Sequence, residues 1–170
     1  MGKEYPEEKN MIVSFPGGSK YEGQMKAGRF HGKGALTFPD GRKYVGDFRN
    51  GKTNGYGVLT SPDGLRYEGH WKDGTLDGQV SCSCSNGDKY VGQLKDGRPH
   101  GRGNLTWTSG ETYSGKWRNG EYNGRGTLTD PNGFKIEDNF KDVRFIDWKV
   151  GNRSYGLLQI DRQWRATSMG

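Results

Sequence analysis

Long apolar runs are missing from this sequence, as are aliphatic side chains in the number that one central core requires. Only 29% of the 170 residues are hydrophobic, aromatics included. No stretch approaches the roughly 18 apolar residues of a membrane-spanning helix. No charged start leads into an apolar stretch and a small-residue cleavage site, so neither a transmembrane segment nor a secretory signal is read. Cysteine is nearly absent. Cys82 and Cys84 lie two residues apart, poorly placed for an ordinary disulfide, and no second pair completes a zinc site. They read as free thiols of a cytoplasmic protein. The histidines are His31, His70 and His100, and no acid or nucleophile recurs with them. His31 and His100 share a column with Asn54, Asp77 and Asn123, which reads as a polar turn position. The Gly-x-Gly strings precede no helix, so they are not nucleotide loops. No catalytic residue, metal site or cofactor is expected, and the chain reads as a non-enzyme.

Glycine and aromatics are what the chain has instead. Glycine supplies 30 of 170 residues, roughly 18% against an average of about 7%, and Phe, Trp and Tyr make up 12%. Disordered chains are poor in aromatics. The combination suggests a sheet in which rings supply the burial and glycines allow close approach. The net charge of +6 and a pI near 9.3 favour an acidic partner.

The strongest signal is an internal repeat. Tyr21, Tyr44, Tyr67, Tyr90 and Tyr113 fall at intervals of 23 residues. Two residues on stands a glycine in every unit. Four on stands a bulky apolar residue: Met25, Phe48, Trp71, Leu94 or Trp117. Further glycine columns follow, broken only at Val80, and a leucine column is broken only at Cys82. These two substitutions predict a less regular strand there. Within units the period is two, as in Tyr67-Glu-Gly-His-Trp71-Lys72, the pattern of a strand with one packed and one wet face. Asn-Gly and Asp-Gly sequences join the halves, and Pro-Asp-Gly or Ser-Gly join the units. Each unit is therefore a hairpin, and ten such strands continue one antiparallel sheet.

The run from Tyr113-Ser-Gly-Lys-Trp117-Arg-Asn-Gly120 through Gly133 resembles the MORN repeat (membrane occupation and recognition nexus). The resemblance implies an all-β fold: an elongated, single-layer, twisted antiparallel sheet of tandem 23-residue β-hairpins with a small C-terminal cap. It divides the chain into a mobile segment (1–12), a half repeat (13–20), five repeats over 21–135 (21–43, 44–66, 67–89, 90–112, 113–135), a degenerate sixth (136–150) and a cap or short helix (151–170). In the sixth, Phe140 keeps its column while Ile136, Asp138 and Val143 replace Tyr and two glycines. Phe145, Ile146, Trp148 and Val150 read as a final strand, and the spacing of Leu157, Ile160 and Trp164 predicts a helix over about 154–166.

The resemblance also implies an interaction surface, since family members include ciliary proteins, cytoskeletal scaffolds, membrane-bridging junctophilins and modules attached to enzymes. Two sets of residues are candidates. Tyr21, Tyr44, Phe48, Tyr67, Trp71, Tyr90, Tyr113 and Trp117 form aromatic columns, read either as internal glue or as an open groove for a peptide, helix or cytoskeletal partner. Lys26, Arg49, Lys72, Lys95 and Arg118 form a basic ladder on the wet face, read either as a solvated face or as a surface for acidic proteins or anionic phospholipid. Nucleic acid fits less well, because rings and charge lie on opposite faces. The expected role is a non-enzymatic adaptor or scaffold in a cytoskeletal or ciliary assembly, with dimerisation open. The alternatives are peripheral attachment to a membrane and a regulatory module detached from a larger enzyme.

Overall fold

In the computed structural model the described residues are 9–144, 147–150 and 153–156, with side chains described over 10–141. Alternation of apolar and polar residues makes strands, and twelve of them form one open antiparallel sheet in strict sequence order. They are β1 (Lys9–Ser14), β2 (Lys20–Lys26), β3 (Arg29–Thr37), β4 (Lys43–Arg49), β5 (Lys52–Thr60), β6 (Arg66–Lys72), β7 (Thr75–Ser83), β8 (Lys89–Lys95), β9 (Arg98–Thr106), β10 (Thr112–Arg118), β11 (Glu121–Thr129) and β12 (Lys135–Arg144). At about 4.8 Å per step, twelve strands span roughly 53 Å. A separate pair, β13 (Asp147–Val150) and β14 (Arg153–Gly156), forms a two-stranded sheet. Among the described residues no helix is long and apolar enough to cross a membrane.

Two kinds of turn alternate. Inside a unit, Ala27-Gly28, Asn50-Gly51, Asp73-Gly74, Asp96-Gly97 and Asn119-Gly120 hold both residues at φ between 48° and 91°. That is the two-residue hairpin whose twist matches the strands. Between units, Pro39-Asp40-Gly41 is typical. Gly41 N–H donates to the Phe38 carbonyl at 3.0 Å, and Phe38 N–H donates to the Arg42 carbonyl at 2.8 Å. Proline presets the turn and glycine takes the positive φ. The turn glycines also tie units together: Gly51, Gly74 and Gly120 N–H donate to the carbonyls of Phe30, Thr53 and Pro99 one unit earlier.

Every unit carries a bulge. Gly23 faces Gly34 and Met25 faces Phe30, so residues 31–33 stand opposite Gln24 alone. The same shift recurs between β4 and β5, β6 and β7, β8 and β9, and β10 and β11. A bulge costs the ladder a bond, and a side chain makes it good. Gln24 Oε1 accepts the N–H of Lys33 at 2.7 Å, Asp47 Oδ2 that of Tyr56 at 3.0 Å, and Gln93 Oε1 that of Arg102 at 3.0 Å.

The structure differs from the sequence reading in four places. Residues 9–12, read as part of a mobile segment, lie in β1 and pair with β2. The column of His31 and His100 is the first bulge residue of its strand, not a turn. β7 pairs with β6 and β8 in the same register as its counterparts in the other units, despite Val80 and Cys82. Residues 153–156 are a strand where a helix was expected to begin, while 157–166, the rest of the cap, Phe145, Ile146 and residues 1–8 lie outside the described residues.

Candidate functional site

A one-layer sheet has no second layer to cover its apolar face, so its rings must cover one another. Four repeat tyrosines, Tyr21, Tyr44, Tyr90 and Tyr113, lie flat on glycines that face one another across the strands, as Gly23 faces Gly34, Gly34 faces Gly46, and Gly46 faces Gly57. A Cβ on Gly34 would come within 2.7 Å of Tyr21 Cε2, and one on Gly103 within 2.6 Å of Tyr90 Cζ. Lying flat lets the hydroxyl reach its own strand. Tyr21, Tyr44, Tyr90 and Tyr113 donate to the carbonyls of Gln24, Asp47, Gln93 and Lys116 at 2.6–3.0 Å. Tyr67 differs because Val80 fills the glycine's place, and its hydroxyl interacts with the Cys82 thiol.

Contacts then run from unit to unit. Tyr21 meets Phe48 edge-on at 5.3 Å, Tyr44 meets Trp71 at 5.2 Å, Tyr90 meets Trp117 at 5.4 Å and Tyr113 meets Phe140 at 5.4 Å. The indole N–H groups of Trp71 and Trp117 donate to the carbonyls of Gly57 and Gly103 in the preceding unit. A further column escaped the sequence reading: Phe30, Thr53, Leu76, Pro99 and Tyr122, each facing the apolar anchor of its unit. Tyr21 stacks on Phe30 at 3.9 Å and Tyr113 on Tyr122 at 3.8 Å.

All eight aromatic candidates, Tyr21, Tyr44, Phe48, Tyr67, Trp71, Tyr90, Tyr113 and Trp117, are therefore buried, none more than 7% exposed. Among the described residues their rings meet one another and the glycines. Burial shows in their acidity. Loss of solvent pushes the Tyr113 hydroxyl up to about 12 and raises Tyr44, Tyr67, Tyr90 and Tyr122 further. Burial also raises the Cys82 thiol, and both cysteines are free.

The opposite face is open. The basic ladder, Lys26, Arg49, Lys72, Lys95 and Arg118, is exposed beside the two-residue turns. Lys26, Arg49 and Lys95 each stand opposite a second cation, Arg29, Lys52 and Arg98. A second basic column precedes the tyrosines: Lys20, Lys43, Arg66, Lys89 and, past Thr112, Lys135. Between these edges, β7 to β12 enclose an open hollow of about 1150 Å³ lined by Gln93, Arg102, Asn104, Ser114, Lys116 and Arg125, among others. A smaller hollow of about 370 Å³ adjoins it and adds His100 and Arg118, the last ladder residue. The ladder was legible in the sequence. The hollow was not, because its lining is drawn from six strands together. Among the described residues no group of three or more side chains could hold a metal ion.

The sequence matches the model of the MORN repeat at residues 21–41, 44–66, 67–89, 90–112 and 113–135. No curated protein matches the chain. Among solved structures it is similar, at 16% identity, to the TCP domain of SAS-4 (dCPAP) of Drosophila melanogaster, solved in complex with a proline rich motif of Ana2 (dSTIL). That likeness covers 83% of this chain and 94% of the other with a TM-score of 0.36, too loose to bear on function.

Proposed function

We propose that this chain, which belongs to the MORN-repeat family, is a non-enzymatic scaffold that holds a protein partner against its hydrophilic face. The observation that carries this reading is the division of labour between the faces. The ring face is closed by its own contacts, while the other face keeps an open hollow and a surplus of cations. Like charges set directly opposite each other on neighbouring strands destabilise a sheet, so folding does not call for Lys26 opposite Arg29 or Lys95 opposite Arg98. An acidic partner would turn that cost into attraction. A bilayer is the weaker candidate, because a flat surface meets the rims of a hollow and a polypeptide enters it. A setting in a cytoskeletal or ciliary assembly is part of the proposal and rests on the family resemblance alone.

Photo-crosslinking in the cells that make the protein tests the reading. A crosslinker at Asn104, on the hollow, should give adducts with a protein of defined mass, and one at Leu128, on the ring face, should give none. Adducts from Leu128 alone, or to lipid alone, would reject it.

A further inference from the structure

The bulges hold an internal comparison. In the first, second and fourth units the bulged N–H is taken by an acceptor from the chain itself: Gln24, Asp47 and Gln93. In the fifth unit the same position is Lys116, opposite the bulge that contains Arg125. Lysine has three donors and no acceptor. Its stem lies over the bulge glycine, with Cδ 3.4 Å from where a Cβ on Gly124 would stand. Among the described residues no side chain accepts from the Arg125 amide.

The cross-strand pairs sharpen the point. Along the bulge row Lys33 faces Asp47 in an ion pair at 2.6 Å, Tyr56 faces His70 with rings 5.6 Å apart, and Gln79 faces Gln93. Next, Arg102 faces Lys116. Two cations thus stand directly opposite each other on the wall of the hollow, with Arg125 across the bulge. All three are exposed and make no ion pair among the described residues. The acids that line the same hollow, Glu137 and Asp138, stand in β12 beside the strand of Arg125, where they face Thr127 and Gly126, while Arg125 itself faces Asn139.

We propose that Arg102, Lys116 and Arg125, with the Arg125 amide, form a subsite for a carboxylate side chain of an extended acidic peptide. The second unit supplies the template. There Asp47 accepts a bulge N–H and pairs with a lysine at once, and in the fifth unit an external Asp or Glu takes that place. The remaining lining favours a polypeptide. Gln93 spends its carbonyl on Arg102 and keeps its two amide hydrogens, while Asn104 and Ser114 donate and accept, as a peptide main chain requires. The assignment rests on the protein-partner reading and narrows it to one site and one chemistry.

The test is fluorescence anisotropy of a labelled, capped octamer of glutamate with the full chain at low salt, beside an octamer of glutamine. The glutamate octamer should bind and the glutamine octamer should not. Lys116→Gln, which restores the acceptor found in the first and fourth units, should weaken binding at least tenfold and raise the melting temperature. Lys20→Gln, in β2 and away from both the ladder and the hollow, removes the same charge from the same face and should change affinity less than twofold. Equal losses in the two variants, or no binding by the parent, would overturn the subsite. Sedimentation with anionic vesicles unaffected by Lys116→Gln, in the absence of peptide binding, would overturn it in favour of a membrane. A protein adduct from Asn104 without glutamate binding would sink the subsite and leave the scaffold reading standing, whereas loss of both would remove the two together.

Discussion

Raising the pH from 10 to 11.5 should unfold this protein in one cooperative step, with tyrosine ionisation and loss of strand signal coinciding. An exposed tyrosine ionises near 10. Here burial raises Tyr67, Tyr90 and Tyr122, all at most 1% exposed, well above that value. A hydroxyl whose folded pKa is raised leaves stability intact below the unfolded pKa and loses it above, because only the unfolded chain releases the proton. Each such group removes about 1.4 kcal/mol per pH unit beyond 10. Three together remove about 4 kcal/mol by pH 11, before Tyr44 and Tyr113 are counted. That is most of the stability of a domain at the lower end of the usual 5–15 kcal/mol. Absorbance at 295 nm and far-ultraviolet circular dichroism should trace one transition. Ionisation near pH 10 of the six buried tyrosines, Tyr21, Tyr44, Tyr67, Tyr90, Tyr113 and Tyr122, while the sheet persists would show that the rings are open to water.

Gly57→Ala should destabilise the protein by about 3 kcal/mol, the upper end for overpacking. The new Cβ would lie 2.6 Å from Tyr44 Cε2. The ring would have to lift, giving up its bond to the Asp47 carbonyl and its edge contact with Trp71. Gly51→Ala is the comparison. Nothing lies within 4 Å of that site, and only the positive φ of 85° resists a side chain, a cost of about 1 kcal/mol. The third unit shows how a larger residue is accommodated: Val80 replaces the glycine and Cys82, facing Tyr67, replaces the leucine. Both are buried, at 2% and 1% exposure. Adding Leu59→Cys to Gly57→Ala should therefore recover about 1 kcal/mol, a coupling typical of residues in contact. Urea denaturation of the four proteins measures it, and strict additivity would mean that Val80 and Cys82 are unrelated substitutions.

Much of the fold was written in the sequence because its requirements repeat in kind. A tyrosine needs a glycine beneath it, a two-residue turn needs glycine at its second place, and both recur every 23 residues. What did not repeat in kind was missed. The column of Phe30, Thr53, Leu76, Pro99 and Tyr122 shares a place but no chemistry. β1 and β12 carry no tyrosine in that column, so they stood outside the ten strands counted for the five full repeats, and were read only as a half repeat and a degenerate sixth. The candidate site was harder to read. Alternation identifies a face and its basic ladder, but not that the rings lie flat and close their own side. The pairing of Arg102 with Lys116 depends on a bulge that sets three residues against one, and a strict period of two conceals it.

Hydroxyl-radical footprinting of the free protein, read by mass spectrometry, tests most directly whether the ring face is sealed and the charged face open. Tyr56, 47% exposed on the hydrophilic face, is the built-in reference. The account predicts rapid oxidation of Tyr56, with Tyr21, Tyr44, Tyr67, Tyr90, Tyr113, Trp71 and Trp117 untouched until the sheet unfolds. Oxidation of those seven at rates comparable to Tyr56 in the folded protein would contradict it.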